Sequence, residues 1–107
     1  MQILVHVLCT KGRSLREAIA NDPRIEAYGL TVRSERQTGR FPGWMKLHSS
    51  DAVRGALNVE WDRQTAALSA RIVTRGSARP SPIVGHFVNY LLARFPGRVQ
   101  SITTAYR

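Results

Sequence analysis

The chain has 107 residues, 43% of them hydrophobic and 21% charged, and a formal net charge of +9. That length fits one domain with its own core, and the composition excludes a disordered or low-complexity chain. A single cysteine, Cys9, excludes an internal disulfide framework and a multi-cysteine zinc site, and fits a reducing compartment.

The apolar start from Ile3 to Leu8 lacks the basic flank and the length of a signal-peptide core. No stretch approaches the ~20 apolar residues needed to span a membrane, so a cytoplasmic location is the default expectation. The positive charge comes from 14 Arg and 2 Lys, with no run of adjacent cations. Such a surface attracts polyanions, nucleic acid among them. GC-rich coding raises Arg and Ala usage without any partner, so the charge alone names none.

In chain order, Ile3–Leu8 is nearly continuous in apolar residues and reads as a central strand covered on both faces, with His6 as a core histidine. After the turn Cys9–Arg13, Ser14-Leu15-Arg16-Glu17 is a capping-box pattern that starts a short helix, with Leu15, Ala18 and Ile19 inward. Asn21-Asp22-Pro23 ends it. Asp22-Pro23 then caps a second short helix with Ile25 and Tyr28 inward and Gly29 as its stop.

Leu30–Glu35 reads as a strand with one solvated face, Thr38–Gly43 as a loop, and Trp44–His48 as a third strand. Ser49-Ser50-Asp51 breaks that strand and leads into one helical turn before Gly55. Leu57, Val59 and Trp61 alternate with polar residues, and Ala67–Thr74 returns after Arg63-Gln64-Thr65. Pairing Asp62 with Ala67 sets Trp61 opposite Leu68, Val59 opposite Ala70 and Leu57 opposite Ile72, all on one side. Ser81 then reads as an N-cap with Pro82 at the first helical position. Val84, Phe87, Val88, Leu91 and Phe95 follow at helical spacing until Pro96-Gly97. Val99–Tyr106 is a last strand rich in β-formers.

The order β-α-β-β-β-β-α-β, with a possible extra helix, predicts an α+β domain. Its single mixed or antiparallel sheet has two main helices on one face. The nearest arrangement by element order is a ferredoxin-like split β-α-β with an extra hairpin, and the alternative is a helix-grip fold. In the first, the strands feeding the two helices are expected side by side and parallel, with both following turns at one end of the sheet.

Both turns are basic. Lys11, Arg13 and Ser14 belong to the first, and Arg75, Arg79 and Ser81 to the second. Two helix N-termini ringed by these cations are a recipe for binding phosphate or carboxylate. The first turn is not a Walker loop. An RNA-recognition module stacks bases on aromatics of its central strands, and Ile3–Leu8 and Leu68–Thr74 carry none. Nucleic-acid contacts are therefore expected through phosphate, with little sequence readout.

No nucleophile motif, carboxylate cluster or metal-ligand spacing occurs, and neither a cofactor nor a metal is expected. Cys9 reads as an inert, half-buried thiol. A competing reading places a small-ligand or enzymatic pocket between sheet and long helix, lined by Trp61, His86 and Tyr90. A third gives the loop Phe41–Trp44, beside Arg40, an interaction or oligomerisation role. A homodimer through a sheet edge is a further expectation. The leading expectation is a non-enzymatic module for an anionic partner, nucleic acid foremost.

Overall fold

The computed structural model describes residues 1–50 and 53–107. The helical turn expected from Asp51 falls partly outside them. The elements are β1 (Gln2–Cys9), α1 (Leu15–Ala20), a 3₁₀ turn (Ile25–Tyr28), β2 (Leu30–Ser34), β3 (Trp44–Ser49), β4 (Ala56–Asp62), β5 (Ala67–Val73), α2 (Ser81–Arg94) and β6 (Val99–Tyr106). All six strands form one antiparallel sheet in the order β2-β3-β4-β5-β1-β6.

The β4–β5 hairpin has the register read from its alternation: Asp62 faces Ala67, Trp61 faces Leu68, Val59 faces Ala70 and Leu57 faces Ile72. Its turn is held by Asp62 Oδ1, which accepts from the amides of Gln64 (2.9 Å) and Thr65 (3.4 Å). Such a side-chain acceptor replaces ladder bonds the turn cannot make. Of the capping box at α1, one bond forms, from the Glu17 amide to Ser14 Oγ at 3.3 Å. Gly29 closes the 3₁₀ turn at φ 79°, a left-handed conformation that an L side chain adopts only under strain.

The strand order is not the ferredoxin-like one. The crossover from β1 through α1 ends at β2, on the far edge of the sheet, with β3, β4 and β5 between them. The antiparallel pairings make β2 run in the same direction as β1. Three successive reversals then carry β2 to β5, so β5 runs opposite to β1. The two strands that feed helices are neighbours, but antiparallel. A split β-α-β unit is formed instead by β5, α2 and β6, with β1 between the two parallel-running strands.

One apolar cluster fills the space between sheet and helices. Ile3, Val5, Val7, Leu57, Val59, Leu68, Ala70 and Ile72 meet Leu15 and Ile19 of α1, Ile25, and Ile83, Phe87, Tyr90 and Leu91 of α2. Among the described residues, no helix packs on the other face of the sheet. β1 is therefore not covered on both faces: Ile3, Val5, Val7 and Cys9 are buried, whereas His6 and Leu8 point outward and are exposed. His6 is not a core residue, because period-2 geometry assigns it to the open face.

Two local readings also shift. α2 starts with Ser81 already helical and Pro80 as its cap residue, without a side-chain capping bond. Its buried residues are Ile83, Phe87, Tyr90 and Leu91, so the inward face is turned away from the expected Val84–Val88 line. The cause is Tyr90. Its hydroxyl donates to Asp22 Oδ2 at 2.9 Å, and Arg94 Nε and Nη2 each approach the same carboxylate at 3.0 Å. The Tyr90 ring packs edge-on against Tyr28 and Phe95. Rotating α2 toward Val88 would break this node and leave buried polar groups unpaired, at a cost of several kcal/mol by the usual order of magnitude.

Candidate anion-binding site

Because β1 and β5 are antiparallel, Leu8 lies beside Ala67 and Gln2 beside Val73. The turn after β1 therefore leaves one end of the sheet and the turn after β5 leaves the other, roughly 20 Å apart at strand spacing. Lys11, Arg13 and Ser14 do not converge with Arg75, Arg79 and Ser81.

The first turn is also closed in a way the sequence does not announce. Arg98, from the α2–β6 connection, donates from Nε to Thr10 Oγ1 (3.0 Å). Its Nη2 donates to the carbonyls of Thr10 (3.2 Å) and Arg13 (2.7 Å). This turn presents carbonyl oxygens to a guanidinium, the opposite polarity from an anion cradle. α1, at six residues, adds little dipole. Cys9 nearby is buried and its thiol is pushed up by that burial, against the opposing charge of Arg98.

Cations do gather on the helix-free face. The ladders align Lys46, Asn58, Arg71, Leu4 and Ala105 in one row across five strands, and Trp44, Glu60, Ser69, His6 and Thr103 in the next. Arg40, Arg71 and Arg107 surround a depression of about 200 Å³ on this face, floored by Leu4, Asn58 and Ser69 and bordered by Glu60. Arg71 Nε is buried and makes no hydrogen bond among the described residues. An unpaired guanidinium nitrogen has lost water without gaining an acceptor, a costly state that an arriving oxygen would relieve.

Arg40 reaches this depression because the β2–β3 loop folds back over Trp44. Its guanidinium carbon lies 5.1 Å from the centre of the Trp44 ring, within cation–π range. Trp44 is 1% exposed yet lies outside the main core, on the same row as Glu60. The aromatic loop thus divides: Trp44 anchors it, while Phe41 is 82% exposed.

His48 reports the local field. It pairs with Thr31 and Ala56 on this face, and its pKa is lowered first by burial, then by the charges of Lys46 and Arg33.

Among the described residues, none of the main depressions is lined by Trp61, His86 and Tyr90 together. Tyr90 is fully buried and bonded to Asp22; His86 lies on α2. Trp61 borders a depression of about 250 Å³ with Phe41 and Trp44, which neither His86 nor Tyr90 lines. Among the described residues no cluster of three His, Cys, Asp or Glu is arranged to hold a metal ion, and no helix is long and apolar enough to cross a membrane.

Arg98 and the Arg40–Arg71–Arg107 group are the site residues that sequence reasoning missed. The period-2 pattern places Arg71 outward, and that signal was available. The approach of Arg40 and Arg107 was not. No protein-family model matches the chain, no curated protein matches it significantly, and no solved structure matches it significantly.

Proposed function

We propose that the chain is a non-enzymatic binding module for a polyanion, nucleic acid, held through its phosphates on the helix-free face of the sheet. The observation that carries this reading is the convergence of Arg40, Arg71 and Arg107 on one depression, with a buried Arg71 Nε that has no partner. The depressed pKa of His48, caused in part by Lys46 and Arg33, supports an electropositive face. Lys11 and Arg13 at one end, and Arg75 and Arg79 at the other, enter as flanking charge that extends the footprint along the strands. With Trp44 buried, the strands of this face present no exposed Phe, Tyr or Trp for base stacking among the described residues, which favours phosphate contact over sequence readout.

The test is an NMR titration of labelled protein with a generic single- or double-stranded oligonucleotide, at about 50 and 200 mM salt. Shifts are expected at Leu4, Asn58, Ser69 and Arg71. Affinity is expected to fall steeply with salt, and Arg71→Ala and Arg40→Ala should each reduce the salt slope by about one. A spectrum that does not move at low salt overturns the proposal. Shifts confined to Thr10–Ser14 and Arg75–Ser81 would return the site to the turns. The homodimer is a separate proposal that rests on the sheet edge and not on charge.

A further inference from the structure

The two edges of the sheet are unlike. β2 is five residues long, carries Arg33 and is broken by a register shift between Val32 and Ser34. Short length, a charge and a bulge are the devices that keep an edge from recruiting another strand. β6 is eight residues, Val99 to Tyr106, without a charge or a proline; its one register shift, at Gln100, lies at the start of the strand and leaves the six residues from Ser101 to Tyr106 regular.

Its free hydrogen-bonding groups can be assigned. The Arg107 amide donates to the Gln2 carbonyl at 3.3 Å, which makes Gln2–Arg107 a bonded pair of the β1–β6 ladder. Antiparallel pairs alternate, so Ser101, Thr103 and Ala105 also bond to β1. Ile102, Thr104 and Tyr106 then direct their N–H and C=O groups away from the sheet.

A second layer is open on the same side. α2 packs on β1, β6 and the 3₁₀ turn. Its Tyr90 flank faces the 3₁₀ turn through Tyr28, so the opposite flank lies toward β6. That flank carries Val84, Val88 and Leu92 at spacings of four; the two valines are half-buried and Leu92 is 52% exposed. Below it, Ile102 and Tyr106 of β6 point to the helix side, and Tyr106 is 83% exposed. Both stripes are about 12 Å long at helix and strand rise.

We infer that β6 and the adjoining flank of α2 are the contact surface for a second copy of this chain. The two-layer character of the edge selects that partner. A two-fold axis perpendicular to the sheet pairs β6 with β6 in antiparallel register, with Ile102 opposite Thr104 and Thr104 opposite Ile102. The same axis sets α2 against α2 in the layer above. A lone peptide strand would satisfy the edge and leave Val88 and Leu92 uncovered, whereas a second copy closes both layers with one self-complementary contact. The strand also carries no charge, so it brings no like charges face to face in a chain of net charge +9. The product is a continuous twelve-stranded sheet whose helix-free face holds two arginine depressions, about 24 Å apart across the strands at ladder spacing.

The experiment is sedimentation equilibrium at about 5 and 200 μM, concentrations that bracket a Kd in the micromolar range. The species at the higher concentration should have twice the 12.0 kDa mass of one chain. Raising salt should preserve or strengthen the dimer, because it screens the net charge, while oligonucleotide binding weakens; failure of one proposal is thus separable from failure of the other.

Leu92→Glu and Thr104→Lys, both at exposed positions, should each weaken the dimer at least tenfold and leave the monomer's circular dichroism unchanged. Thr104→Pro provides a second test, because its N–H points outward and no β1 bond is lost. A monomer at about 200 μM overturns the inference, and so does a dimer that survives all three substitutions.

Discussion

Asp22 decides more at the residue scale than its place in a short connection suggests. It is 8% exposed, accepts from the Arg24 amide at 3.0 Å, and takes Tyr90 and Arg94 from an element 68 residues further on. The Arg94 guanidinium holds its pKa down at about 2, against an ordinary 3.8. A carboxylate whose folded pKa is depressed contributes stability that is present above its unfolded value and is lost as pH falls toward the folded one. Urea midpoints should therefore drop between pH 5 and pH 2, and Asp22→Asn should be less stable at pH 7 but flatter across that interval. Tyr90→Phe removes one hydrogen bond and keeps the ring, so it should cost about 1 kcal/mol in the same assay.

His48 offers the complementary reading on the open face. Its proton is resisted by burial, Lys46 and Arg33, so its imidazole should titrate below pH 6.5 in the free protein. An anion bound beside Lys46 would offset part of that repulsion. The His48 pKa, followed by NMR, should rise when a saturating oligonucleotide is added.

The elements follow their local signals where those signals are dense. The alternation Leu57-Val59-Trp61 against Leu68-Ala70-Ile72 fixes the β4–β5 register, because a one-residue slip would turn every apolar side chain outward. Gly43 shows how tightly β3 then sits on β4. A Cβ built there would lie 2.7 Å from the Trp61 carbonyl oxygen, and the Trp61 amide donates to the Gly43 carbonyl at 3.0 Å. Gly43→Ala should cost about 2 kcal/mol, measured by thermal or urea unfolding, because backbone and not a mobile side chain must give way. α2 was legible as a helix from its spacing and from Pro96-Gly97, but not in its rotation. Phe87 and Leu91 lie inward as their spacing predicts, but Val84 and Val88 are as apolar as Ile83, and the bond from Tyr90 to Asp22 holds the helix with Ile83 and Tyr90 inward instead. That choice leaves the Val84–Val88–Leu92 flank toward β6.

For the whole molecule, the charge of +9 is distributed, and its effect should be read as salt dependence. Raising salt from about 50 to 200 mM should weaken oligonucleotide binding by at least tenfold, and by less in Arg71→Ala, as measured by fluorescence anisotropy. The sequence by itself determined that the chain is an α+β domain, where its strands and helices fall, the hairpin register and the outward placement of Arg71. Each of these rests on residues close in sequence or on a two- or 3.6-residue period. Only the tertiary structure decided that β1 and β5 run antiparallel, that the two basic turns lie at opposite ends, and that Arg98 closes the first of them. It also decided that Arg40, Arg71 and Arg107 meet, and that β2 and β6 are the two edge strands. These depend on the parity of chain reversals and on contacts across tens of residues, which no local pattern encodes.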